Sequence, residues 1–128
     1  MKFLFDTQLV LWVPIGDAKL SSLVLSLLAS AENEFAFSTA SLWEIAIKRS
    51  LGKADFQVDP RGVRSRMLQS GYEELPVHGQ HAVAVDALPF IHKDPFDRLL
   101  IAQAMVEGIT LLTADAVIAR YPGPIKKV

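Results

Sequence analysis

Four carboxylates, Asp6, Glu44, Asp97 and Asp115, are spaced so that a single metal site could use them all. Asp6 follows directly on the apolar run 2–5, and Asp115 follows the apolar run 109–113 by one residue. Acids at the carboxyl ends of strands in an open α/β sheet face the crevice where ligands bind. Glu44 interrupts an otherwise apolar helical segment, SLWEIAI, and Asp97 lies in the first turn of FDRLLIAQA. If the four converge, like charges about 4–5 Å apart repel by about 3–4 kcal/mol per pair at an effective dielectric of about 20. Such a cluster calls for a cation. Oxygen donors without His or Cys favour Mg²⁺ or Mn²⁺ over zinc. A cation held this way lowers the pKa of water and polarises a phosphoryl oxygen, which is the chemistry of phosphodiester hydrolysis.

Each acid also has an ordinary structural account. Asp6 and Asp115 could be helix N-caps. Glu44 could close a capping box with Ser41 or pair with Lys48 four residues on. Asp97 could be the third residue of a helix capped by Asp94, favoured there by the helix dipole. No single acid carries the argument; the set does.

The elements that must position them alternate between short β-like runs and helical patterns, which points to an α/β fold with a central, mainly parallel sheet. Residues 2–5 read as the first strand. Leu20, Leu23, Val24, Leu27, Leu28 and Ala31 recur at helical spacing. A second strand covers 35–37, and a helix runs over 41–51, stopped by Gly52. Asp59-Pro60 opens a helix to about residue 70, ended by Gly71. A third strand is expected at 73–77 and a helix over 79–87. Asp94 as N-cap and Pro95 at the first helical position start the clearest helix, which ends at Gly108. A buried strand over 109–113, a short helix over 114–120 and a basic tail complete the chain.

With 128 residues the sequence has room for one domain, and at 51% hydrophobic it supplies a core without staples. It contains no cysteine, which excludes disulfides, thiolate catalysis and zinc–thiolate sites and suits a reducing cytoplasm. Asp6 interrupts the apolar N-terminus, and no later apolar stretch is long enough to span a bilayer. A cytoplasmic protein without membrane contact is expected. The formal net charge of −1 lacks the basic balance common in nucleic-acid binders. Acids concentrated in one metal site would be neutralised locally by the bound cation.

The succession KFLFDTQLVLW, FSTASLWEIAIKRSLGK, HKDPFDRLLIAQA and TLLTADAVIARY resembles the PIN-domain family, and within it the VapC-like toxins of type II toxin–antitoxin (VapBC) systems. The resemblance spans nearly the whole chain, read as a single PIN domain over 1–128, and its motifs arrive in the family's order. It implies a three-layer α/β/α sandwich and a Mg²⁺- or Mn²⁺-dependent endoribonuclease whose carboxylates are Asp6, Glu44, Asp97 and Asp115. It also implies supporting roles for Thr7, Ser41 and Thr113, which would orient carboxylates or water. Its implied partners are an RNA substrate, a second copy of the chain in a homodimer, and a cognate VapB-like antitoxin that blocks the groove, forming a heterotetramer or larger assembly. One departure is Gln8, where close relatives often carry His; glutamine cannot titrate near neutrality.

Several other residues invite roles. Arg98, beside Asp97, is the basic residue first expected to contact substrate. Lys48, Arg49, Lys53, Arg61, Arg64 and Arg66 form either a solvated face or a phosphate-guiding rim. His78 and His81 lack a third ligand at metal spacing and are expected to pack or face solvent. His92 is a modest candidate for substrate contact. Trp12 and Trp43 lie in apolar segments and are expected in the core or a dimer contact. Two other function classes remain. A phosphorylatable receiver-like module would need an acid pair after the first strand, which Asp6 alone does not provide. A non-catalytic PIN-like RNA- or protein-binding scaffold would share the fold without turnover. A DNA or flap nuclease could use the same carboxylates.

Overall fold

Period-two alternation in the apolar strands sets the architecture. The strands are β1 (Lys2–Phe5), β2 (Glu34–Ser38), β3 (Glu73–Leu75), β4 (Thr110–Thr113) and β5 (Ile125–Lys127). In the computed structural model, which describes residues 1–128, they form one sheet in the order β3-β2-β1-β4-β5, every pair parallel. Phe3, Phe5, Phe35, Phe37 and Leu112 point to one face of this sheet. Leu4, Ala36 and Leu111 point to the other. A sheet apolar on both faces must be covered on both, as parallel sheets are.

The first face is covered by α1 (Thr7–Trp12), α2 (Ser22–Ala29) and α4 (Pro60–Gln69), through Leu9, Val10, Val24, Val63 and Met67. The second is covered chiefly by α6 (Pro95–Glu107), through Leu100, Ile101 and Ala104. Between them α3 (Thr39–Ser50) gives Ile45 to the first cluster and Ala40 to the second. The short α5 (Gly79–Ala84) continues into a 3₁₀ turn, Val85–Ala87. The result is the expected three-layer α/β/α sandwich. No helix is long and apolar enough to cross a membrane.

From β1 the chain steps outward to β2 and β3, then returns through α5 and α6 to lay β4 on the opposite side of β1. The direction of winding therefore switches between β1 and β4. Their carboxyl ends are where such sheets open a crevice.

Most expected elements are present, with boundaries adjusted by local caps. The expected helix 20–31 shortens to Ser22–Ala29 because the Ser21 hydroxyl accepts from Val24 N. α3 begins two residues earlier than expected because Ser38 caps it, accepting from Ala40 N; Ser41 and Glu44 therefore form no capping box. The expected strand 73–77 ends at Leu75, before Pro76. α6 matches its sequence signals: Asp94 caps it, Pro95 opens it, and Gly108 closes it at φ 67°. Two readings are corrected. The helix expected over 114–120 is only a 3₁₀ turn, Ile118–Arg120, and part of the expected tail is β5, paired Leu111 to Ile125.

Candidate metal centre

Asp6 ends β1 and begins α1. One carboxylate oxygen accepts from Leu9 N at 2.9 Å, capping the helix. The other accepts from the Thr113 hydroxyl at 2.6 Å and from Ala114 N at 3.3 Å. Asp6 is thus both the cap that its sequence position permits and a carboxylate lining the crevice. Burial pushes its pKa up, the bonds from Thr113, Leu9 and Ala114 oppose that, and the charge of Asp115 adds to the rise.

Thr113 closes β4 and serves two acids. Its hydroxyl donates to Asp6 and accepts from Asp115 N at 3.0 Å. Asp115 in turn accepts from Val117 N at 2.7 Å, which turns the chain out of the strand. On the far side of β1, the Thr7 hydroxyl donates to Glu44 Oε1 at 2.8 Å and stands 3.0 Å from the Ser41 hydroxyl. Glu44 Oε2 lies 3.0 Å from Lys48 Nζ, one helical turn on. Thr7, Ser41, Glu44 and Thr113 are all buried.

Asp97 arrives from the opposite layer. Asp94 Oδ1 accepts from Phe96 N and Asp97 N, fixing the first turn of α6. Asp97 Oδ2 is 2.9 Å from His92 Nε2. Its pKa is pushed up to about 7, first by burial, then by the charges of Asp94 and Glu44, with His92 pulling the other way.

These segments enclose a cleft of about 300 Å³ at the carboxyl ends of β1 and β4. Five carboxylates line it: the four expected acids and Asp94. Lys48 is the only Lys or Arg in the lining. An excess of buried acids can be relieved by protonation, as the raised Asp6 and Asp97 indicate, or by a divalent cation. Carboxylate oxygens are donors that Mg²⁺ and Mn²⁺ both accept, and Mn²⁺ also accepts an imidazole beside them. The residues present fit such an ion.

Other expectations sort differently. Arg98 does not line the cleft. Its guanidinium donates to Pro89 O, Tyr121 Oη and Val85 O and lies over the Phe90 ring. A planar fork with several fixed donors suits that clamp. Arg49 and Arg61 share Asp59, and Arg64 pairs with Glu74, on the exposed surface away from the cleft lining. Trp43 is 62% exposed and meets Phe96 edge-on rather than entering the core. His81 is fully buried, with Nε2 3.0 Å from Glu107 and Nδ1 accepting from His78 N. The sequence reading placed Asp94 as the cap of the Asp97 helix and His92 as a substrate-contact candidate, but offered neither as a partner of Asp97 in one acidic cluster. The run His92-x-Asp94-x-x-Asp97 was the available signal.

Fold and site together define an α/β/α domain with an acidic cleft at its topological switch point. The chain belongs to the PIN domain family, whose model matches residues 3–124. Comparison with curated proteins returns no match. Among solved structures, a chain of VapBC2 from Rickettsia felis, bound to a DNA fragment from the promoter, superposes at TM-score 0.71 and 19% identity, covering 99% of this chain and 98% of that one. DNA-bound VapBC from Salmonella typhimurium gives 0.67 and 18%, again with 99% and 98% coverage. A toxin–antitoxin complex from Klebsiella pneumoniae gives 0.63 and 17%, covering 96% and 94%. At these identities the likeness is one of fold.

Proposed function

We propose that this PIN domain is a VapC-type toxin, a Mg²⁺- or Mn²⁺-dependent endoribonuclease held in check by a VapB-like antitoxin. One observation carries the reading. Asp6, Glu44, Asp97 and Asp115, which come from four separate segments, line one cleft at the switch point of the sheet. A structural cap or a surface ion pair explains any one of them but not their common destination. The similarity in fold to chains of VapBC complexes supports the toxin assignment.

In this reading the four carboxylates hold the cation. When bound, the ion lowers the pKa of water and draws electron density from a phosphoryl oxygen. The chain's own residues prepare that chemistry. Thr113 fixes the Asp6 carboxylate and the turn at Asp115, so these two acids approach from the strand ends. Thr7 and Lys48 hold the two oxygens of Glu44, with Ser41 packed against Thr7. Lys48 also leaves the cleft less negative toward an incoming phosphate.

The toxin would act as a homodimer in the cytoplasm and assemble with its antitoxin as a heterotetramer or larger. Expression in a bacterial host tests this reading. The native chain should arrest growth, and Asp97→Asn or co-expression of the antitoxin should relieve the arrest. Arrest by a stably expressed Asp97→Asn chain at the native level would overturn it.

A further inference from the structure

The cleft contains one nitrogen donor that a purely carboxylate site does not use. We propose that His92 and Asp94 join Asp97 as direct ligands of the divalent cation, giving this chain a mixed nitrogen–oxygen site that favours Mn²⁺ over Mg²⁺. The proposal rests on the cation-dependent reading of the cleft.

Spacing is the first argument. His92 Nε2 and Asp97 Oδ2 are 2.9 Å apart, and His92, Asp94 and Asp97 each offer an atom within 4.8 Å of the other two. Neighbouring ligands on an octahedral ion with bonds of about 2.1 Å lie about 3 Å apart. The histidine and aspartate already stand at that separation.

Availability is the second. Asp94 spends Oδ1 on two backbone amides of α6, and Oδ2 has no partner within the chain. Capping and ligation therefore use different oxygens of one side chain.

The third argument is that His92 is held in place. Its backbone N donates to Tyr121 Oη at 2.8 Å, and Arg98 donates to that same oxygen and to Pro89 O. Tyr121 is buried. The loop carrying His92 is thereby fixed against the first turn of α6, where Asp97 lies. First-row transition cations, Mn²⁺ included, accept an imidazole nitrogen, whereas Mg²⁺ keeps to oxygen donors and gives up water reluctantly. A bound imidazole thus shifts preference toward Mn²⁺. The competing role for His92 is a hydrogen bond to a ligating Asp97 from outside the coordination sphere.

Electron spin echo spectra of the Mn²⁺-loaded full chain separate the two roles. The chain is prepared with natural histidine, with ¹⁵N-histidine, and as His92→Gln. Direct ligation predicts ¹⁴N modulation from one bound imidazole, replaced by a ¹⁵N pattern on labelling and lost in His92→Gln. His78 and His81 lie outside the cleft lining. Calorimetric titration should show Mn²⁺ affinity falling about tenfold or more in His92→Gln, with Mg²⁺ affinity changing less than about threefold. Asp94→Asn keeps the cap but removes the ligand charge. It should weaken Mn²⁺ binding about tenfold without lowering the melting temperature of the metal-free chain. Mn²⁺ bound through Asp97 with no histidine nitrogen signal would overturn the proposal and leave a carboxylate-only site. Failure of the native chain to bind Mn²⁺ at all would overturn both the proposal and the cation reading beneath it.

Discussion

The Thr113 hydroxyl donates to Asp6 Oδ2 at 2.6 Å, joining the carboxyl ends of β1 and β4 across 107 positions of sequence. Both residues are buried, and Thr113 also receives Asp115 N, so one hydroxyl orders two acids of the cleft. Thr113→Val keeps the shape and removes that hydroxyl. The expected cost is about 1.5–3 kcal/mol, because a buried carboxylate loses a hydrogen bond. Mn²⁺ affinity should fall as well, since Asp6 is pushed further toward its protonated form. Urea unfolding and Mn²⁺ titration measure the two effects; unchanged values for both would show that the hydroxyl does not organise the site.

The raised Asp97 makes a prediction about pH. Its folded pKa of about 7 lies above the ordinary carboxylate value of 3.8. The unfolded chain therefore releases this proton first as pH rises. The stabilising contribution of protonated Asp97 is complete below about pH 4 and is lost as pH rises through about 7. In the presence of chelator, the gain in melting temperature of Asp97→Asn over the native chain should be larger at pH 8 than at pH 5. An equal difference at both values would contradict the raised carboxyl. Cation uptake should release a proton below pH 7, so affinity should climb with pH and level off above it.

Cation addition should stabilise the folded chain. An ion that binds only the native state at a hundred times its dissociation constant adds about 2.7 kcal/mol. Thermal melts with Mg²⁺ or Mn²⁺ against EDTA should show an upward shift that Asp97→Asn diminishes. An identical shift in Asp97→Asn would place the binding elsewhere.

Arg98→Lys distinguishes a clamp from a phosphate contact. Lysine keeps the charge but cannot reach Pro89 O, Val85 O and Tyr121 Oη with one planar fork. The expected outcome is a loss of about 1–2 kcal/mol in stability with the salt dependence of RNA binding unchanged. A reduced salt slope with native stability would restore Arg98 to the substrate.

His81→Leu should cost about 2–3 kcal/mol, because Glu107 and His78 N each lose a partner beside a fully buried ring. Its cation affinity should equal that of the native chain, since His81 does not line the cleft. Weakened binding by the folded variant would mean that α5 and α6 transmit more to the site than their packing indicates.

How much of this was legible in the sequence follows from which signals are local. Asp6 and Asp115 could be placed because an apolar strand precedes each within a few residues. α6 could be bounded because Asp94, Pro95 and Gly108 act within one turn of its ends. β5 could not be read. Ile125 stands alone between Pro124 and two lysines, and its strand character comes from pairing with β4. The contact of His92 with Asp97 was obscured for a similar reason. It depends on Tyr121, 29 positions away, holding the His92 loop. Arg98 could be set beside Asp97 from sequence, but its bonds to the carbonyls of Val85 and Pro89 depend on segments distant in the chain and could not be read there.

The most direct test of the central claim is cleavage of purified tRNA, ribosomal RNA and single-stranded RNA by the antitoxin-free chain. Each is incubated with Mn²⁺ or Mg²⁺ and with EDTA, beside Asp97→Asn. The predicted result is hydrolysis that requires the cation and is lost, or reduced at least about a hundredfold, in a folded Asp97→Asn chain that no longer binds the cation tightly. Cleavage that persists in EDTA, or that Asp97→Asn retains in full, would contradict the metal-held carboxylate site.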